Sequence, residues 1–423
     1  MNRDAYVDNI RTTLKTLAEN LNFASWDKVN EPLLGFNEIA LLNPEFEKTI
    51  ISTFLKGVQE SFTPVKKGSE LEKKKFKYMA TVDLSEFKHL FSLRSDLSAF
   101  DVSDAKNFQI AYKGKKDGKD MDVKVTIDGS GEKAALFSNR LSNDSAAVII
   151  LLPEKLDFKF ARNGVTSFTV SMNNKIEKAS GSEYGDLQKS KWSIGGKAHA
   201  TIKEGDKTID DAEMEFSFGL DPKSKKGDVA LKITQNGRSI VDLKATNKSS
   251  DFFKDFSSLT SASNILDFVM IAVNDGSIDD LKLTLLGFKT LKMKITDTEK
   301  AASALSESSE ARRNYADSAT IAKYTKKLND VMTLSLTDES LDMTVPVKFQ
   351  TTKFGVDYWV MPCFDFGDEV GFVPMSDIMD PEALSYLFNI LDHSIPSISA
   401  TFIVLRQIVR FAVPYLISAG TEE

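Results

Sequence analysis

The side chains able to do chemistry in this chain are few and scattered. Histidine occurs three times, at His89, His199 and His393, and cysteine once, at Cys363. A zinc site needs clustered His and Cys, and a nucleophilic triad needs a His with an activating partner. Neither pattern is present, and a lone Cys makes no disulfide framework. None of the three His opens a His-Glu-x-x-His helix. The nearest approach to a hydrolase elbow, Gly181-Ser182-Glu183-Tyr184-Gly185, carries its serine in the wrong place. There is no P-loop and no dinucleotide Gly-x-Gly-x-x-Gly; Gly129-Ser130-Gly131 reads as a turn. Asp365-Phe366-Gly367 matches the metal-binding triplet of kinases, but no His-Arg-Asp accompanies it. Cys363 lies between Pro362 and Phe364 in an apolar run, so it reads as a buried thiol rather than a nucleophile.

Carboxylates are more plentiful. Asp365, Asp368 and Glu369 follow an aromatic-rich strand, and Asp117, Asp120 and Asp122 crowd a hairpin turn. Paired carboxylates are what glycoside hydrolysis requires, but neither group has the spacing of a twelve-residue calcium loop. Tyr358-Trp359 is the best candidate for stacking on a sugar, although strand alternation sends the two rings to opposite faces. The possible ligand surface is therefore Tyr358, Trp359, Asp365, Asp368 and Glu369. No catalytic residue, metal ligand or cofactor motif is assigned, and the chain is not read as an enzyme.

The 29 Phe against 9 Tyr and 3 Trp point to rings used in cores more than on binding platforms. Net charge is −7, from 54 basic and 61 acidic residues, with the signs interspersed. That balance has no electrostatic footprint for nucleic acid. The densest basic stretch, Lys73-Lys74-Lys75 with Lys77, reads as a solvated linker. The most apolar window, Ile398 to Ser418, is long enough to span a bilayer but holds Arg406, Gln407 and Arg410. Each central Arg costs about 2.5–3.5 kcal/mol on insertion scales, so a buried helix is expected and no transmembrane span.

The elements that must position these residues can be read from periodicity. Tyr6, Ile10, Leu14, Leu17 and Leu21 make one helical face. Asn43-Pro44-Glu45 is a helix start, and Phe46 to Phe62 is its apolar stripe, ended by Pro64. From about residue 75 to 250 the period is two, with turns at Asn163-Gly164 and Asn236-Gly237. Ala146 to Leu152 is continuously apolar, as a strand buried on both faces would be. A helix over 252–274, one long helix from Asp297 to about 329 and a meander over 331–364 follow. Pro346 and Pro362 push their strands towards edges or bulges. Asp380-Pro381-Glu382 opens another helix, in which His393 near the end suits a dipole partner, and an apolar C-terminal helix closes the chain.

The sequence also repeats itself. Lys159–Met172 aligns without gaps to Lys232–Ala245, and Lys282–Ile295 is a looser third copy. Each reads as a hairpin with one face inward. The spacing is too irregular for a solenoid.

An N-terminal helical pair leading through Pro64-Val65-Lys66-Lys67-Gly68-Ser69-Glu70-Leu71 into Lys-rich hairpins resembles the large β-rich exported lipoproteins of Bacteroidetes. The resemblance implies export to the periplasm or an outer-membrane anchor, with a lipobox cysteine upstream of Met1. The expected fold is α+β, with antiparallel sheets covered by N-terminal, middle and C-terminal helices. The expected parts are a helical hairpin over 1–63, a meander over 64–250 and a helix/hairpin alternation over 251–423, the last two able to form one domain. Three roles fit: a non-catalytic envelope protein that is structural or binds partners, a carrier of a lipid or acyl chain, and a glycan-binding or glycan-acting protein.

Overall fold

A computed structural model describes residues 3–20, 45–247 and 278–374, apart from single positions and short turns within the last two stretches. The helix expected over 252–274 lies outside the described residues, as do Asn43, Pro44 and His393; of the helix expected beyond Asp380 only Ser385 is described, and it is helical.

The structure is mostly β, 57% strand against 21% helical, and among the described residues strands far outnumber helices. This overturns the expected α+β arrangement of sheets covered by helices. The physical reason is strand length. The expected short hairpin arms run on through residues that read as breaks. One strand spans Lys119–Phe137, 19 residues, and its neighbour Ala146–Arg162, 17 residues. Gly129-Ser130-Gly131 is not a turn but a register shift within this pair, opposite Pro153–Leu156. A Cβ on Gly129 would stand 2.8 Å from the Pro153 ring, so the glycine lets the two strands pass.

The chain folds as two compact units, Asp27–Lys225 with Ser399–Glu423 and Met1–Trp26 with Lys226–Ile398. The first holds β1 (Thr63–Pro64), β2 (Tyr78–Asp83), β3 (His89–Leu93), β4 (Phe100–Asp104), β5 (Phe108–Lys116), β6 (Lys119–Phe137), β7 (Ala146–Arg162), β8 (Val165–Ile176), β9 (Trp192–Glu204) and β10 (Lys207–Asp221). β5 to β10 form an antiparallel meander. Two parallel pairings, β2 with β7 and β3 with β5, make the sheet mixed. The first half of β7 lies between β2 and the end of β6, and Ala146–Ile150 are buried without a break. Elsewhere burial alternates, as the period of two requires: Phe158 and Phe160, Val170 and Met172, Ala198 and Ala200 face inward. The helix Glu45–Glu60 adds Val58 to a small cluster with Ala80 and Val148.

The second unit is an antiparallel meander of β11 (Lys226–Gln235), β12 (Arg238–Asn247), β13 (Ile278–Leu285), β14 (Lys289–Ile295), β15 (Met332–Asp338), β16 (Met343–Phe354), β17 (Asp357–Asp365) and β18 (Phe372–Pro374). Helices pack on one face of it. Tyr6, from the helix Arg3–Asn20, sits among Val345, Val347, Phe364 and Phe366, with edge-on ring contacts to the two Phe at 6.0 and 5.7 Å. Ala301, Ala304 and Leu328 pack against Leu281, Met293 and Phe349 on the same face. The long helix expected from Asp297 is two helices, Thr298–Arg313 and Ser318–Val331. Asp297 caps the first by accepting from the Lys300 N–H at 3.0 Å, and Asp317 caps the second by accepting from the Thr320 N–H at 2.8 Å. Between them Tyr315 takes a positive φ of 53°.

The first two repeat copies share more than sequence. Asn163-Gly164 and Asn236-Gly237 have φ values of 50°, 78° and 50°, 75°, the pattern of a type I′ turn. Each hairpin breaks register at the equivalent place, between Phe160 and Ala161 and between Ile233 and Thr234. The third copy, β13–β14, turns differently: Leu285 pairs with Lys289, Gly287 takes φ 78°, and no register break occurs. Pro346 and Pro362, expected to push their strands towards edges or bulges, lie on strands with neighbours on both sides. Each is tolerated at a local edge. The β16–β17 ladder begins at Val347, and the β17–β18 ladder begins at Cys363, so each missing N–H falls just outside a ladder.

Candidate functional site

β17 separates the sequence-predicted ligand surface rather than gathering it. Tyr358 and Trp359 stand near its start and Asp365 at its end, about 20 Å apart along an extended strand. At the Asp365 end, the carboxylate accepts the Gly367 N–H at 3.1 Å and pairs with the Lys348 ammonium at 3.1 Å. The Gly367 N–H first, and Lys348 next, hold its pKa below the usual carboxylate value. The triplet Asp365-Phe366-Gly367 is thus a turn: Gly367 has φ 86°, and Phe366 is buried against Tyr6. Asp368 is exposed in the same turn, and Glu369 lies outside the described residues. Cys363 is buried, 1% exposed.

At the other end, Trp359 is half-buried. The Arg312 guanidinium sits 4.0 Å over its ring, and Phe354 meets it edge-on at 5.9 Å. Tyr358, opposite Lys353, is half-buried and belongs to the other face of the strand. The hairpin tip beyond them is apolar and open to solvent, with Phe354 70% and Val356 82% exposed.

The other acidic group, at the β5–β6 turn, is dispersed. Asp120 pairs with Lys115 at 3.9 Å, Asp122 is exposed, and Asp117 lies outside the described residues.

A third constellation was not expected from the sequence. On β9 and β10, donor atoms of His199, Asp211 and Glu213 all lie within 4.8 Å of one another, and all three residues are half-exposed. Ala198 and Ala200 point into the core, so Lys197, His199 and Thr201 share the outer face. Glu213 stands directly opposite His199, and Asp211 opposite Thr201. His199 Nε2 pairs with Asp211 Oδ1, and the Thr201 hydroxyl is 3.3 Å from both atoms. Lys197 donates to Glu213 at 2.7 Å and has Glu215 as its direct cross-strand partner. The proximity of Glu213, and less so of Glu215 and Asp211, raises the Lys197 pKa.

A bulge makes this grouping. β10 shifts register between Thr208 and Asp210. Without the shift, His199 would face Ala212, and both acidic residues would point to the other side of the sheet. The alternation of acids in Asp211-Ala212-Glu213 was visible, but the extra residue that aims it at His199 was not.

Comparison of the chain with protein-family models, curated proteins and solved structures finds no match.

Proposed function

We propose that the chain is a non-catalytic exported protein of the cell envelope, with a binding role exercised through the tip of the β16–β17 hairpin. The observation that carries this reading is the exposure of Phe354 and Val356 on either side of Gly355, at the end of a long hairpin whose buried residues, Val345, Val347, Phe349, Cys363 and Phe364, lie towards its other end. A tight two-residue loop has no need of apolar side chains, and Gly, Asn or Asp serve it better. Arg312, stacked on Trp359, braces the base of the tip, so the two apolar side chains are presented on an ordered support. The resemblance to exported lipoproteins supplies the compartment, and the tip supplies the means of attachment to an apolar envelope component.

The test compares the full chain with the double variant Phe354→Ser/Val356→Ser. Full burial of such a side chain is worth about 1.5–3 kcal/mol, so the variant should associate with isolated envelope fractions at least tenfold more weakly. Its melting temperature should change little, since both side chains are mostly exposed and Phe354 gives up only its edge-on contact with Trp359. Equal association of the two proteins, or recovery of the native protein only from the cytosol, would sink the reading. Native mass spectrometry on the same samples distinguishes a carrier, because a bound lipid would add its mass.

A further inference from the structure

The outer face of the β9–β10 hairpin carries the strongest ligand-like grouping outside the hairpin tip. We propose that His199, Asp211 and Glu213 form a binding site for a divalent first-row transition cation, for which Zn²⁺ is the natural probe. The donor set is one imidazole nitrogen and two carboxylates, a combination that suits Zn²⁺ and its neighbours. Mg²⁺ and Ca²⁺ favour oxygen ligands throughout. Two carboxylates also balance the charge of the ion.

Geometry supports the assignment. Zn–N and Zn–O bonds are about 2.0–2.2 Å, which places tetrahedral donors about 3.4 Å apart. The three donor atoms already lie within 4.8 Å of one another, so side-chain rotation alone can close the site. The backbone is fixed while they do so: β9 is laddered to β8 through Thr169 opposite His199, and to β10 through Glu213. Thr201 stands at 3.3 Å from both His199 Nε2 and Asp211 Oδ1, so its hydroxyl can keep a hydrogen bond to the Asp211 carboxylate when the imidazole turns to an ion. Three protein ligands leave at least one coordination position open to water or to a donor from another molecule.

The competing occupant is on the same face. Lys197 holds Glu213 at 2.7 Å, and an ammonium there opposes a metal cation. Glu215, directly opposite Lys197, offers it an alternative partner, so the ion can displace Lys197 without leaving it unpaired. A purely structural ladder of ion pairs and a metal site therefore respond oppositely to loss of this lysine. The ladder loses a contact, and the metal site loses a competitor.

The experiment is a calorimetric titration of the full metal-free chain with Zn²⁺, repeated with Co²⁺ to follow visible absorption. The expected result is one ion per chain at micromolar affinity. His199→Gln and Asp211→Asn should each weaken it at least tenfold, and Lys197→Met should tighten it several-fold. His89→Gln is the control and should leave affinity unchanged. Melting curves without metal confirm that each variant is folded; the three altered residues are half-exposed or exposed, so the fold should be retained. Absence of saturable binding up to millimolar Zn²⁺ overturns the proposal. So does undiminished affinity in His199→Gln, or weakened affinity in Lys197→Met.

Discussion

Asp365 shows how a residue read in sequence as part of a possible ligand surface becomes a turn partner in place. Its carboxylate is consumed by the Gly367 N–H and Lys348, both of which favour the charged form. A carboxylate whose folded pKa lies below its unfolded value of 3.8 stabilises the fold fully above that value. The stabilisation is lost as pH falls through the lowered folded pKa. Asp365→Asn should therefore cost about 1 kcal/mol near neutral pH. The gap between variant and wild type should narrow in urea titrations carried below pH 3.8. A gap that stays constant with pH would show that the charge is not what the turn uses. Residue identities alone gave Asp365 a possible metal or sugar role. Its partner Lys348 lies on the preceding strand, out of reach of any local spacing rule.

At the scale of elements, legibility followed locality. Turns written in adjacent residues were readable: both Asn-Gly pairs adopt positive φ, and the shared register break makes the first two repeat copies one hairpin design. The interruption after Arg313 was also written locally, in Asn314 to Asp317, although the surrounding helical pattern hid it. What could not be read was register. The bulge in β10 decides which face Asp211 and Glu213 occupy, and no single residue type announces it. Strand interiors hold a second such feature. Gly196 lies under Phe216, where a Cβ would come 2.7 Å from the ring and 2.6 Å from the Ser171 carbonyl oxygen. Gly196→Ala must push a strand as well as a ring, and should destabilise the protein by about 1–3 kcal/mol. Gly195→Ala is the comparison: its nearest contact would be 3.4 Å, and it should be nearly neutral. Chemical denaturation of the two variants decides between a close-approach glycine and an incidental one.

For the whole molecule, the expected cover of helices gave way to sheets that are themselves the bulk of the structure. The expectation failed because long strands with interior glycines and prolines read as several short ones. In the unit formed by Met1–Trp26 and Lys226–Ile398, the N-terminal helix is tied to the meander by a buried polar cluster. Lys289, 7% exposed, donates to Asp338, 0% exposed, and to Asn9 from the N-terminal helix. Removing one partner strands a buried charge, so Asp338→Ala should cost about 3–5 kcal/mol. The double change Lys289→Met/Asp338→Leu should recover most of that loss, since apolar pairs of similar volume replace such ions at little cost. A double variant no more stable than Asp338→Ala would mean that the cluster is needed for register rather than for charge balance. The Asn9–Lys289 contact joins residues 280 apart in the chain. At synthesis rates of about 5–20 residues per second, the helix Arg3–Asn20 waits roughly 15–60 seconds for the strand it docks on. Through that interval Tyr6 has no sheet to enter, and the burial of this helix comes late. A chaperone or secretion factor that captures nascent chains would meet this segment before its own fold does.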